Sequence, residues 1–380
     1  MGKVVYLGYY SMPAHKRICS PAAVTMMDYV CTALRQTGLA VTLLSPSQAE
    51  ANAATPREEV ALDDRSKVVF LPSYPRVSSK NLPGRLFLRL RRKRDLRREL
   101  SALTAEDTLI VYHSMIYADT IRKIQKKQHF RLILQVCEIY SDVAPNISKE
   151  KELHWIDCAD GYIFSTRMLA ERYNPHGKPY TVCLGTYLPE PKRERLFNDD
   201  FTHIVYAGTF DPRKGGAAAA AAAAKFLPFG YHIHIIGFGS HSEISQIVNL
   251  VDSLSKTCTC RISYDGCLSG EEYIRFLQSC DIGLSTQNPD AAFNGSSFPS
   301  KILSYLANGL RVVSIRIPAI ETSAVGESMY YYEKQTPEEI ASAILKIPRN
   351  DPYDSRALLC RLDADFQENM HTLLTTFDKR

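Results

Sequence analysis

Tyr206-Ala-Gly-Thr-Phe-Asp-Pro-Arg-Lys-Gly-Gly216 is the stretch on which the fold reading turns. A short β-branched and aliphatic run, 203–208, leads into a glycine turn, and eight alanines at 217–224 follow, alanine being the strongest helix former. Strand, turn and helix in that order are the repeating unit of parallel sheets. The helix also begins beside two basic side chains, Arg213 and Lys214. Unpaired amide N–H groups at a helix start, with the helix dipole and those cations, make a seat for phosphate oxygens. A capped turn with solvated basic side chains fits this segment equally well. The dinucleotide fingerprint is not met, because Gly237-Phe-Gly239 follows a strand but lacks a third glycine at the right offset. No Walker lysine loop is present.

Working outward, the same alternation fills the chain. Strands are expected at 4–9, 41–45, 68–71, 108–113, 131–139, 161–165 and 180–184, and again at 203–208, 231–237, 261–265, 282–286, 311–315 and 329–333. Between the two series, Leu188-Pro-Glu-Pro-Lys-Arg-Glu-Arg195 breaks the pattern, since prolines withdraw backbone donors and charges resist burial. The expected organisation is an α/β protein with Rossmann-like domains at 1–187 and 201–350, a linker at 188–200, and a helical tail at 351–380 packing back on the first domain. A length of 380 residues agrees with two domains, being beyond the roughly 250–300 at which one core stops growing.

Composition narrows the function classes. With 45% hydrophobic and 23% charged residues, a disordered chain is excluded. No apolar run approaches the ~18 residues of a membrane span and no signal segment opens the chain, so a cytoplasmic protein is expected. The ten cysteines are scattered, several within apolar runs, and read as buried thiols; no Cys-x-x-Cys pair seeds a metal site. Asp363-Ala-Asp365 lies in the terminal helical stretch and reads as an exposed charged face, so no metal is expected. The net charge of +5 is modest, but Arg85, Arg89, Arg91, Arg92, Lys93, Arg94, Arg97 and Arg98 crowd one stretch.

A second segment strengthens the phosphate reading: Asn294-Gly-Ser-Ser-Phe-Pro-Ser-Lys301-Ile-Leu-Ser304-Tyr-Leu-Ala-Asn-Gly309. Ser296, Ser297 and Ser300 offer hydroxyls, Pro299 suits a first helical turn, and Gly309 ends the helix before a buried strand. Two helix starts converging with Arg213, Lys214 and Lys301 would neutralise a diphosphate, whose two negative groups need several donors in a small volume.

On these residues, with Val4-Val-Tyr-Leu-Gly-Tyr-Tyr10, Ser20-Pro-Ala-Ala23 and Arg311-Val-Val-Ser314, the chain resembles the family 4 glycosyltransferases of the GT-B fold, the retaining enzymes that assemble bacterial surface polysaccharides. The resemblance covers nearly the whole sequence. It implies two Rossmann-like domains facing across a cleft: a C-terminal domain holding a nucleoside-diphosphate sugar, an N-terminal domain receiving the acceptor, and transfer with retention. The donor side then comprises Arg213, Lys214, Gly237, Ser296, Ser297, Phe298, Ser300, Lys301 and Ser304. The first loop could close over the diphosphate with Lys16 or Arg17 adding charge, and solvated loop cations are the equal alternative. Two positions depart from the family. The paired glutamates of the donor segment correspond to Ser296 and Ser304, and the arginine after the glycine of the restart strand corresponds to Thr209. Serine can hydrogen-bond a sugar hydroxyl but supplies no carboxylate.

On the acceptor side, His113 and Glu138 end two strands, where open sheets place ligand-binding residues. His113 is the match for a histidine that contacts the transferred sugar, and Glu138 could orient an acceptor hydroxyl or take its proton. Structural roles, a hydrogen-bonding histidine and a capping carboxylate, remain the alternatives. Leaving-group charge would fall to helix dipoles and cations without a metal or other cofactor. The basic stretch 81–100 would hold the protein at an anionic membrane surface, near a growing lipid-linked glycan of lipopolysaccharide O-antigen or capsule; a solvated helix is the alternative. Nucleic acid is not expected, because no aromatic platform accompanies the cluster. The competing reading is a nucleotide-sugar- or glycan-binding protein that kept the fold and lost catalysis.

Overall fold

The computed structural model of the protein describes residues 2–144, 146–212, 216–289, 297–349 and 352–377. The chain divides into two compact units, Met1–Thr186 with Asp365–Arg380, and Tyr187–Ala364.

The first unit is built on eight strands: β1 (Val4–Leu7), β2 (Val41–Ser45), β3 (Glu58–Ala61), β4 (Lys67–Phe70), β5 (Thr108–Tyr112), β6 (Arg131–Val136), β7 (Gly161–Phe164) and β8 (Tyr180–Val182). Their order is β3-β4-β2-β1-β5-β6-β7-β8. All neighbouring pairs are parallel except β3 with β4. A parallel sheet needs helices on both faces, which is why its strands read as continuous apolar runs. In β6, Leu132, Ile133, Leu134 and Val136 are all fully buried, and the one polar residue between them, Gln135, accepts the Tyr6 hydroxyl of β1. From β1 the chain builds outward to β2 and then crosses to β5, so the sheet reverses direction between β1 and β5. Crevices for ligands open at the carboxyl ends of the strands at such a reversal.

The edge strand β3 was not expected from sequence. Its residues Glu58-Glu-Val-Ala61 are mostly exposed and carry no apolar alternation. Glu59 pairs with Arg57 and Lys67, the kind of charged surface that protects a sheet edge. Strand β6 is also shorter than expected, ending at Val136. The helix Arg356–Thr376 contributes Phe366, Met370, Leu373 and Leu374 to the interior, with Phe366 stacked on Tyr29 at 5.4 Å.

The second unit carries six parallel strands: β9 (Thr202–Thr209), β10 (Tyr231–Phe238), β11 (Arg261–Gly266), β12 (Ile282–Ser285), β13 (Arg311–Ile315) and β14 (Met329–Tyr332). Their order, β11-β10-β9-β12-β13-β14, places the reversal between β9 and β12. The alanine run forms the helix Ala217–Ala222 and a 3-10 turn, Ala223–Phe226. Ala220, Ala221, Ala223 and Ala224 are fully buried, so methyl side chains bring this segment close to the helix Pro337–Leu345 and to β9 rather than facing it to solvent. Residues 188–200 run along this unit, where Arg193 N donates to Gln278 Oε1 (2.7 Å) and Leu196 N to Ser279 Oγ (2.7 Å). Among the described residues, no helix is long and apolar enough to cross a membrane. The cysteines are free, and Cys267 and Cys360 are exposed where the sequence suggested buried thiols.

Candidate active site

In the second unit, polar groups gather where β9 and β12 diverge. The helix Lys301–Ala307 is fixed there by Tyr305, which is fully buried. Its hydroxyl accepts the Ala207 N–H of β9 (2.8 Å) and lies 3.2 Å from the Leu284 carbonyl of β12, to which it can donate. The ring lies against Gly283, where any side chain would collide: a Cβ would come within 2.3 Å of it. Lys301 sits one turn before Tyr305 on the same helix face. Its Nζ is thereby placed 4.3 Å from the Tyr206 ring centroid and beside Gly208, whose hypothetical Cβ would be 3.1 Å away.

The Lys301 ammonium is buried and has no hydrogen-bond partner among the described residues. Burial pushes its pKa down to about 8. A cation–π contact compensates part of the cost, yet a desolvated ammonium with no acceptor is an unfavourable arrangement that an anion would relieve. The Ser285 and Tyr332 hydroxyls, ending β12 and β14, are likewise buried without a partner among the described residues. Backbone closes the other side: Thr286 Oγ1 donates to the Gly216 carbonyl (3.0 Å), and a Cβ on Gly216 would strike the Thr286 carbonyl at 1.9 Å.

In the first unit, a cavity of about 540 Å³ lies at the β1/β5 reversal, lined by Tyr9, Cys19, Tyr112, His113, Glu138 and Tyr140 among others. His113 follows β5 and is 2% exposed. Its Nε2 is 2.8 Å from Glu152 Oε1, and its ring stacks on Tyr140 at 5.0 Å. Glu152 also accepts the Tyr140 and Ser141 amides, each at 2.8 Å. Burial alone would raise the Glu152 pKa, but His113 and these amides outweigh it and hold it down at about 2. An ionised carboxylate only accepts, so His113 carries its proton on Nε2. Nδ1 is buried without a partner among the described residues and is the acceptor nitrogen whenever the ring is neutral. Glu138 lines the same cavity, half-buried.

Residues 202–350 match the family described as "Glycosyl transferases group 1". The chain carries a glycosyltransferase domain. No curated protein matches the sequence. Solved structures similar to the whole chain include a sucrose-phosphate synthase from Thermosynechococcus elongatus (14% identity, 98% of this chain and 95% of that one, TM-score 0.61). Another is a UDP-forming α,α-trehalose-phosphate synthase from Burkholderia xenovorans (12%, 99% and 98%, 0.62). A third is an E. coli structure described as "Trehalose-6-phosphate from E. coli bound with UDP-2-fluoro glucose" (12%, 98% and 99%, 0.66). At these identities the likeness establishes the fold, which is GT-B.

Within the glycosyltransferase domain, Arg213, Lys214 and Ser296 lie outside the described residues. Ser297 is half-buried and Phe298 buried just before Lys301, while Ser300 is exposed and makes no capping bond. Ser304 is a correction: its hydroxyl is 3.2 Å from the Tyr273 hydroxyl, because three residues into the helix it faces the neighbouring helix Gly270–Gln278. Gly237 pairs with Gly208 at the ends of β10 and β9, with φ at +149°. A Cβ there would lie 1.8 Å from the Gly208 carbonyl oxygen. Gly237→Ala is expected to cost about 3 kcal/mol or more, read as a lowered urea midpoint with an unchanged slope.

In the first unit, Arg17 does not reach outward from its loop. It is 2% exposed, donates to the Ser47 (3.1 Å) and Leu71 (3.2 Å) carbonyls and lies over Phe70. Those carbonyls lie just beyond the ends of β2 and β4, and the buried guanidinium donates to both. Lys16, with φ at 41°, remains exposed beside it. Sequence reasoning missed Glu152, Tyr206 and Tyr305. Glu152 was detectable in principle: with Trp155 and Ile156 it shares the buried stripe of the helix Lys149–Asp157, an unusual place for a carboxylate.

Proposed function

We propose that the protein transfers a sugar from a nucleoside-diphosphate sugar, with retention, to a growing lipid-linked surface glycan. Lys301 carries this reading. A buried ammonium with no acceptor among the described residues, placed at a sheet reversal, suits a diphosphate, whose charge grows as the glycosidic bond to it breaks. The structural relative bound to UDP-2-fluoro glucose is in keeping with such a donor. Substitution occurs on the sugar face from which the diphosphate departs, and the departing phosphate takes the acceptor proton. His113 Nδ1 and Glu138 accept hydrogen bonds that orient the reacting sugars, and no metal is invoked for the transfer.

The lipid-linked acceptor rests on the helix Leu82–Leu100. Leu96 and Leu100 anchor its end in the interior, whereas Leu82, Leu86, Phe87 and Leu90 are 68, 57, 61 and 58% exposed among the arginines. A pocket of about 660 Å³ runs along it, lined by Arg76, Arg85, Arg89 and Arg92 with Leu82 and Leu86. This pocket shares Tyr9 and Ile116 with the His113 cavity. Cations beside exposed leucines suit an anionic leaflet and a lipid pyrophosphate, which would place the protein at the inner face of the plasma membrane.

A sugar-donor panel read by thermal shift, followed by nucleoside-diphosphate release on adding lipid-linked acceptor, tests the proposal. No release with any acceptor would favour the binding-protein reading. Leu86→Asp with Leu90→Asp should abolish flotation with anionic vesicles while leaving donor binding intact. Transfer to a free sugar phosphate, unaffected by these changes, would instead favour a soluble phosphosugar acceptor in the arginine-lined pocket, in line with the names of the structural relatives.

A further inference from the structure

Three histidines cluster at the other end of the second unit's sheet. His203 is the second residue of β9; His232 and His234 are the second and fourth of β10. Register pairs His203 with His232 and Val205 with His234, so all three side chains project from one face. One ring nitrogen of each lies within 4.8 Å of the others. Five residues of strand, about 16 Å, separate His203 from Gly208 and the Lys301 site.

The surroundings determine where each ring carries its proton. His203 Nε2 is 2.8 Å from Asp199 Oδ1, and His234 Nδ1 is 3.0 Å from Asp265 Oδ2. Carboxylates accept, so both N–H groups point at them. His203 Nδ1 and His234 Nε2 are then lone-pair nitrogens, yet they face each other at 2.9 Å. His232 repeats the pattern. Ser263 donates to Asp265 (2.8 Å), so its oxygen accepts from His232 Nε2 (2.9 Å), leaving Nδ1 with the lone pair. Two facing lone pairs repel unless a proton or a metal ion is held by both.

We propose that His203, His232 and His234 form a binding site for a divalent transition-metal ion, with Zn2+ the fitting occupant. Three neutral imidazoles with an open fourth position are a known zinc ligand set. Each ring is oriented through its other nitrogen by a carboxylate or hydroxyl, the support that metal-binding histidines ordinarily have. Phe197 stacks on His203 (4.2 Å) and His234 (4.9 Å), walling the cluster on one side. At this distance from the Lys301 site the ion joins β9 to β10 and takes no part in transfer.

The test is titration of the chelator-treated full chain with Zn2+ by calorimetry and with Co2+ by visible absorption. The expected result is one ion per chain, four-coordinate Co2+ bands without thiolate charge transfer, and a raised Tm on loading. His232→Gln, at the half-buried ligand, should abolish stoichiometric binding, and Asp265→Asn should weaken it roughly 10- to 100-fold. A folded wild-type chain that takes up neither ion overturns the site, and the pair then shares a proton instead. Uptake that survives His232→Gln and shows thiolate charge transfer also overturns it, assigning the ion to cysteine.

Discussion

Lys301→Met is expected to make the free protein more stable and at the same time weaken nucleoside-diphosphate binding by roughly 30- to 1,000-fold, corresponding to about 2–4 kcal/mol for a desolvated charge-assisted contact. The first effect follows from the pKa. An ammonium that falls from 10.5 to about 8 on folding binds its proton more weakly in the folded chain than in the unfolded one. Folding therefore costs about 3 kcal/mol below pH 8, and this penalty is relieved as pH rises from about 8 to 10.5. The wild-type chain should gain stability over that interval, and the methionine variant should not. A bound diphosphate has the opposite preference, since it needs the protonated amine. Affinity should thus decline above pH 8 and binding should take up a proton there. Calorimetry in buffers of differing ionisation enthalpy measures both. Equal affinity in the two proteins across this range would remove Lys301 from the donor site and take the donor assignment with it.

Glu152→Gln should damage stability and turnover together. A carboxyl lowered from 4.5 to about 2 contributes about 3 kcal/mol above pH 4.5, lost as pH falls from there through 2. The variant should lose most of this at neutral pH and unfold with little further dependence on acid in that window. The amide also presents an N–H where the carboxylate accepted, which favours the other His113 tautomer and removes the Nδ1 lone pair. Turnover should fall roughly 100-fold, with KM for the donor changed far less. A variant that loses stability but keeps kcat, with an unshifted pH–rate profile, would make the Glu152–His113 pair purely structural.

The parallel-sheet strands were legible because burial on both faces leaves continuous aliphatic runs, as in Arg131–Val136 and Arg311–Ile315. The edge strand Glu58–Ala61 was not, because its stability comes from pairing and surface charge rather than from an apolar pattern. The site divides the same way. Lys301 and His113 were legible as polar residues at a helix start and a strand end; that the Lys301 ammonium and the His113 ring are both buried was not. Arg17 was misread because a basic residue in a loop looks the same in sequence whether it faces solvent or caps buried carbonyls.

From the one-dimensional chain came the α/β class, the restart of the strand pattern at His203 and the choice of Lys301, each a consequence of local periodicity and of chemistry carried by adjacent residues. Whether Lys301 has an acceptor, which nitrogen of His113 is free, and that three histidines 29 and 31 positions apart or closer share one point were decided by tertiary structure. Proton position and charge cost depend on neighbours in space: Glu152 reaches His113 across 39 residues, and His203 meets His234 across 31. Sequence spacing carries no record of those distances, and burial, which raises or lowers each pKa, exists only once the sheet has been assembled.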